Sequence, residues 1–239
     1  MRPAMMKPDV KRFYREVAVA GTEAGGFAIL LDGRKVRTPI GRDLEVPTRN
    51  LADAVAAEWA AQEDKVRPAT MPLTQFAFTA IDRVGPERAD VAARIAKYGE
   101  TDLLCYRADS PADLVALQAM TWDPLLAWAD EAFGARLTVT AGIAPVAQPS
   151  PAVAALGRQL EGLDAFRLTA VAAVVQAAGS LVVGLALLRG RLDAADAAKA
   201  AHLDETYQAG KWGEDKEAVD RRRALTDEFA GAARFLSLL

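Results

Sequence analysis

One cysteine and one histidine serve a chain of 239 residues. With Cys105 alone, no internal disulfide can form, and such usage suits a reducing compartment. Cys105 and His202 are too few to build a cysteine–histidine zinc site, so no metal and no cofactor are expected. Any serine or cysteine triad would have to run on His202 alone. Excess positive charge is missing too: 29 Lys and Arg stand against 32 Asp and Glu, with a pI of about 5.4. That argues against nucleic acid as the main partner, because phosphate contact needs clustered basic residues. Neither a Gly-x-x-x-x-Gly-Lys-Ser/Thr loop nor a Gly-x-Ser-x-Gly elbow occurs. The start, Met1 to Pro8, has no apolar segment, so no targeting peptide is read and a cytoplasmic location is expected.

A long uncharged run is the one feature that challenges this picture. Leu168 to Leu188 holds no charge and matches a membrane span by length. Gln176 sits inside it, and Gly179-Ser180 reads as a helix stop followed by an N-cap. The expectation is a buried pair of short helices at the centre of a core, without stable membrane insertion.

What is present has two textures. Up to about residue 48 the chain reads as a meander of short antiparallel strands. Phe13 to Val19, Phe27 to Leu31, Arg34 to Thr38 and Leu44 to Val46 are the strands. Asp32-Gly33 between two of them signals a type I′ hairpin, which needs positive φ at both residues. Beyond Pro47 the apolar period becomes helical. Leu51, Val55 and Trp59 share a face, with Asn50 as the expected cap. Ser110-Pro111 opens another helix that runs to about Phe133, with a kink expected at Pro124. Leu137 to Thr140 reads as a short strand returning to the β part. Asp193 to Gly210 and residues 214 to 239 read as the last helices. The fold class is therefore α+β: a small β-rich N-terminal domain, 1–48, and a larger, mainly α-helical C-terminal domain, 49–239.

Chemistry-bearing residues are sparse. Cys105, among apolar neighbours, reads as a buried thiol, and His202 as a helix-surface residue. Asp82, Glu100 and Asp102 are the carboxylates of an alternative reading, an enzyme with a site at an inter-domain cleft. Trp59, Asp32 and Gly33 read as structural. Trp212, in Gly210-Lys211-Trp212-Gly213, is placed to fill a gap between helices or to anchor a partner. With these catalytic signatures missing, a binding protein is the better-supported class.

The ordered motifs resemble those of the assembly-chaperone family of the ATP synthase F1 sector, the "ATP-twelve" type. They begin with Lys11-Arg12-Phe13-Tyr14, Leu31-Asp32-Gly33-Arg34, Glu58-Trp59, Gln62 and Met71-Pro72-Leu73-Thr74. They continue through Ile81-Asp82-Arg83, Thr101 to Ala108, Gln118 and Trp122-Asp123-Pro124-Leu125. Gly179-Ser180-Leu181, Leu203-Asp204-Glu205, Tyr207-Gln208, Lys211-Trp212-Gly213 and Asp215 to Ala218 complete the set. The resemblance implies an ATP-independent chaperone rather than an enzyme. Its implied partner is the free F1 alpha subunit, whose subunit interface it shields during assembly. It also implies a partner-binding acid at either Asp204 or Glu205. A bacterial, cytoplasmic and monomeric member is the expectation.

Overall fold

A computed structural model describes residues 10–142, 144–213 and 216–239. The N-terminal segment read above for targeting lies outside them, as does Asp215 of the last motif. The described chain divides into two units. The first holds the described residues up to Arg88, with Asp164–Ala170 and Arg234–Leu239. The second holds Ala89–Leu163 and Val171–Ala233.

The first unit begins with β1 (Val10–Lys11), β2 (Val17–Gly21), β3 (Phe27–Leu31), β4 (Arg34–Lys35) and β5 (Glu45–Val46). β3 is the central strand, antiparallel to β2 on one side and to β4 and β5 on the other. Asp32 and Gly33 take φ of 46° and 77° between β3 and β4, as a type I′ turn demands. The Asp32 carboxylate accepts the N–H groups of Arg15 (3.0 Å) and Glu16 (2.8 Å), which hold its pKa below the usual range. One face of the sheet packs on α1 (Arg49–Ala60), whose Leu51, Ala52, Val55 and Trp59 are buried. The cap of α1 is Thr48, not Asn50: its Oγ1 accepts from Leu51 N at 3.2 Å, and Asn50 is already inside the helix. β6 (Lys65–Val66) pairs with β1. α2 (Pro72–Thr79) runs on into a π-turn over Ala80–Val84, closed by Gly85 N to Ala80 O at 2.8 Å.

The second unit is helical. α3 (Arg88–Ala96) leads to β7 (Tyr106–Arg107) and to α4 (Ala112–Phe133). α4 passes unbroken through Pro124, because Trp122, Leu125 and Ala129 hold its buried face. It ends at Gly134 with φ 68°. β8 (Thr140–Ala141) pairs in parallel with β7. The strand expected to return to the N-terminal β part thus pairs inside the second unit instead.

α5 (Ser150–Glu161), α6 (Ala165–Ala178) and α7 (Leu181–Leu188) follow. Gly179 (φ 67°) stops α6, and Ser180 Oγ caps α7 by accepting from Val183 N at 3.0 Å. The apolar run is therefore a helical pair, with Leu181 to Leu187 all buried. Among the described residues, no helix is long and apolar enough to cross a membrane. Val175 of α6 and Gly184 of α7 meet so closely that a Cβ at Gly184 would lie 2.3 Å from Val175 Cγ2. The helix expected over Asp193 to Gly210 is two: α8 (Ala194–Ala201) and α9 (Leu203–Trp212). His202 (φ −108°, ψ 19°) breaks it. α10 (Lys216–Ser237) closes the chain with Phe229, Ala232 and Phe235 buried.

Candidate functional surface

α9 carries two stripes of side chains. Asp204, Tyr207 and Lys211, spaced three and four apart, point at the second unit's own helices. Asp204 Oδ1 accepts from Gln118 Nε2 at 2.7 Å, and Gln118 Oε1 accepts from Ala108 N at 2.8 Å. Gln118 is buried in α4, so Asp204 is tied to a fixed amide. Tyr207 donates its hydroxyl to Asp113 Oδ1 at 2.6 Å, and Lys211 Nζ lies 3.0 Å from Asp113 Oδ2. The tyrosine's hydrogen bond, followed by that of Lys211, holds Asp113 below its usual pKa. Bonding to Asp113 raises both Tyr207 and Lys211.

Glu205, Gln208 and Trp212 form the second stripe, and all three are exposed. Trp212 is the last residue of α9 and 77% exposed, so it fills no gap between helices. Of the three partner-binding candidates, Glu205 and Trp212 thus share one outward face, and Asp204 lies on the other stripe. Met120 of α4 is a further exposed apolar residue, at 72%. Its signal was available: it falls off the buried stripe of Leu114, Gln118, Trp122, Leu125 and Ala129.

Many other motif residues brace the fold. Tyr14 donates its hydroxyl to Trp59 O at 2.7 Å, and Arg12 lies over the Tyr14 ring while donating to Gln62 O. Trp59 is 3% exposed, and its ring packs edge-on against Tyr14. The Glu58 carboxylate caps α2 by accepting from Leu73 N, Thr74 N and Thr74 Oγ1 at 2.7–2.8 Å. Its burial raises its pKa against those bonds. Trp122 Nε1 donates to Ala200 O at 2.9 Å.

The carboxylates of the enzyme reading do not share a setting. Asp102 is fully buried and accepts from Leu104 N (3.1 Å) and Val182 N (3.0 Å). Burial pushes its pKa up to about 6. Glu100 is exposed, and Asp82, in the first unit, accepts from Ile40 N at 3.4 Å. Burial pushes the Cys105 thiol up to about 12 and lowers His202. His202 is 7% exposed, its ring set edge-on to Phe229, and so is a core histidine rather than the surface one expected. Among the described residues, no three or more His, Cys, Asp or Glu side chains group to hold a metal ion.

The fold is α+β, and its second unit presents an exposed acid, Glu205, and an exposed aromatic, Trp212, on one face of α9. Residues 11–130 match the family model described as ATP12 chaperone protein. The chain belongs to the ATP12 chaperone family. The crystal structure of Atp12 from Paracoccus denitrificans is 42% identical with a TM-score of 0.91, over 95% of this chain and 97% of that one. A crystal structure from Agrobacterium tumefaciens is 41% identical with a TM-score of 0.91, over 97% and 87% of the two chains. The mitochondrial protein atp12 of Schizosaccharomyces pombe is 27% identical, over 95% of this chain and 82% of its own length.

Proposed function

We propose that this protein binds the free alpha subunit of the ATP synthase F1 sector in the bacterial cytoplasm. It shields the surface that alpha later presents to its neighbouring subunit, and it does so without nucleotide. The observation that carries the reading is the outward stripe of Glu205, Gln208 and Trp212, backed by the polar pins on the neighbouring stripe of α9. Family membership supports it. A lone subunit of an obligate complex exposes a large apolar interface, and such patches aggregate unless covered. A stoichiometric cover needs complementary surface and no chemical step. Binding hot spots are enriched in tryptophan, the residue that α9 exposes at its end. Asp204 acts here by orienting α9, and Glu205 by contacting the partner.

Co-expression of the alpha subunit with and without this protein tests the reading. A complex on size exclusion and a larger soluble yield of alpha are expected. Equal yield with no complex would overturn it.

A further inference from the structure

β2 is the outer strand of its sheet, and its free side is unusually bare. Its register pairs Val17 with Leu31 through to Gly21 with Phe27. Just past its ends, Glu16 O accepts from Asp32 N at 3.0 Å and Thr22 N donates to Gly26 O at 2.8 Å. Bonding residues alternate along an antiparallel ladder. Glu16, Ala18, Ala20 and Thr22 therefore bond to β3. Val17, Val19 and Gly21 turn their N–H and C=O groups the other way. Among the described residues, those outward groups have no partner.

Natural edge strands are blunted by lysine, proline, bulges or inward charges. The sequence Val-Ala-Val-Ala-Gly carries none of these. Both ends of the strand are nonetheless fixed. Asp32 holds the N–H groups of Arg15 and Glu16, and Thr22 Oγ1 accepts from Gly26 N at 3.2 Å. One face of the sheet, from β2 across β3 to β4 and β5, carries a groove of about 450 Å³ whose lining includes Ala20, Ala28, Leu30, Lys35, Glu45 and Glu23. Its one lysine is already neutralised, with Nζ 2.8 Å from Glu45 and 3.1 Å from Asp43.

Those features select an occupant. Five extended residues span about 17 Å. Two folded copies paired along so short a stretch would bury far less than the roughly 1,200–2,000 Å² of a stable specific interface. An extended segment fits better, because its own backbone supplies the bonds that the outward N–H and C=O groups lack. Lys35 is spent on Glu45 and Asp43, and Glu23 adds a further negative charge, so an acidic segment is disfavoured. We infer that β2 captures an extended strand of the client chain, free of acidic side chains, by adding it to the sheet. This rests on the chaperone reading above.

The test uses the F1 alpha subunit as the probe. Val19→Pro removes one outward N–H and leaves the bonds to β3 in place. Its melt should match wild type, and its capture of alpha should weaken at least tenfold. In the wild-type complex, amide exchange at Val19 and Gly21 should slow at least tenfold relative to the free protein. If both proteins capture alpha equally and exchange is unchanged, the strand inference falls while the chaperone reading stands. If neither captures alpha, both fall. If Val19→Pro does not fold, the exchange measurement decides alone. A wild-type dimer that Val19→Pro dissolves, with capture untouched, would assign the edge to a second copy and overturn the inference.

Discussion

Asp102 should make this protein more stable as the pH falls from neutrality, the reverse of the usual behaviour of a native carboxylate. Its carboxyl is fully buried, and two opposing effects act on it. Burial disfavours the charged form. The N–H groups of Leu104, Leu181 and Val182 and the Ser180 side chain favour it. Burial wins, raising the pKa from 3.8 to about 6. A raised folded-state value means that the contribution is fully present below the unfolded value and is lost as pH rises through the folded one. The full span is a little over two pH units of linkage, about 3 kcal/mol. Between pH 5 and pH 7.5 the loss is about 1.4 kcal/mol. The assay is urea unfolding of wild type and Asp102→Asn at several pH values. The asparagine places a donor where Val182 N–H needs an acceptor, a cost that does not titrate. The stability difference, wild type minus variant, should therefore fall by about 1.4 kcal/mol across that window. A difference that stays flat, or rises with pH, would show that the N–H groups outweigh burial and would refute the reasoning.

Glu205→Lys should weaken capture of the alpha subunit about tenfold in a pull-down titration, with an unchanged melt because the side chain is exposed; tenfold corresponds to about 1.4 kcal/mol. Trp59→Arg should destabilise the fold by about 3–5 kcal/mol in denaturant unfolding, since it buries an unpaired charge against Tyr14; a wild-type melt would contradict this. Gly184→Ala should cost about 1–3 kcal/mol through the clash with Val175. Adding Val175→Ala should recover part of that cost in a double-mutant cycle, and strict additivity would count against the contact.

Features with local causes were legible in the sequence. The Asp32-Gly33 turn was readable because positive φ at two successive residues demands that chemistry. The helical pair in Leu168 to Leu188 was readable because Gly179 and Ser180 punctuate it. Features decided at a distance were not. The partner of Thr140–Ala141 is a two-residue stretch more than thirty positions earlier, and no periodicity announces it. His202 splits a helix without being glycine or proline, so nothing marked the break. Asp204 and Glu205 are neighbours in sequence yet lie about 100° apart around the helix axis. Which of them faces inward was settled by Gln118, 86 residues away. The motifs pointed to the pair, and only the fold separates its members.

α9 buries only Leu203, and its remaining ties to α4 run through Asp113 and Gln118. The Asp113–Lys211 pair is about half exposed, at 55% and 52%, where water and salt compete with it. Of these ties the Asp113–Lys211 pair is the one that opens at low free energy, while Asp204 stays on the buried Gln118 amide. Ionic strength acts on this protein as a local adjustment. Raising it loosens the mounting of the Glu205, Gln208 and Trp212 stripe while the apolar interior stays closed.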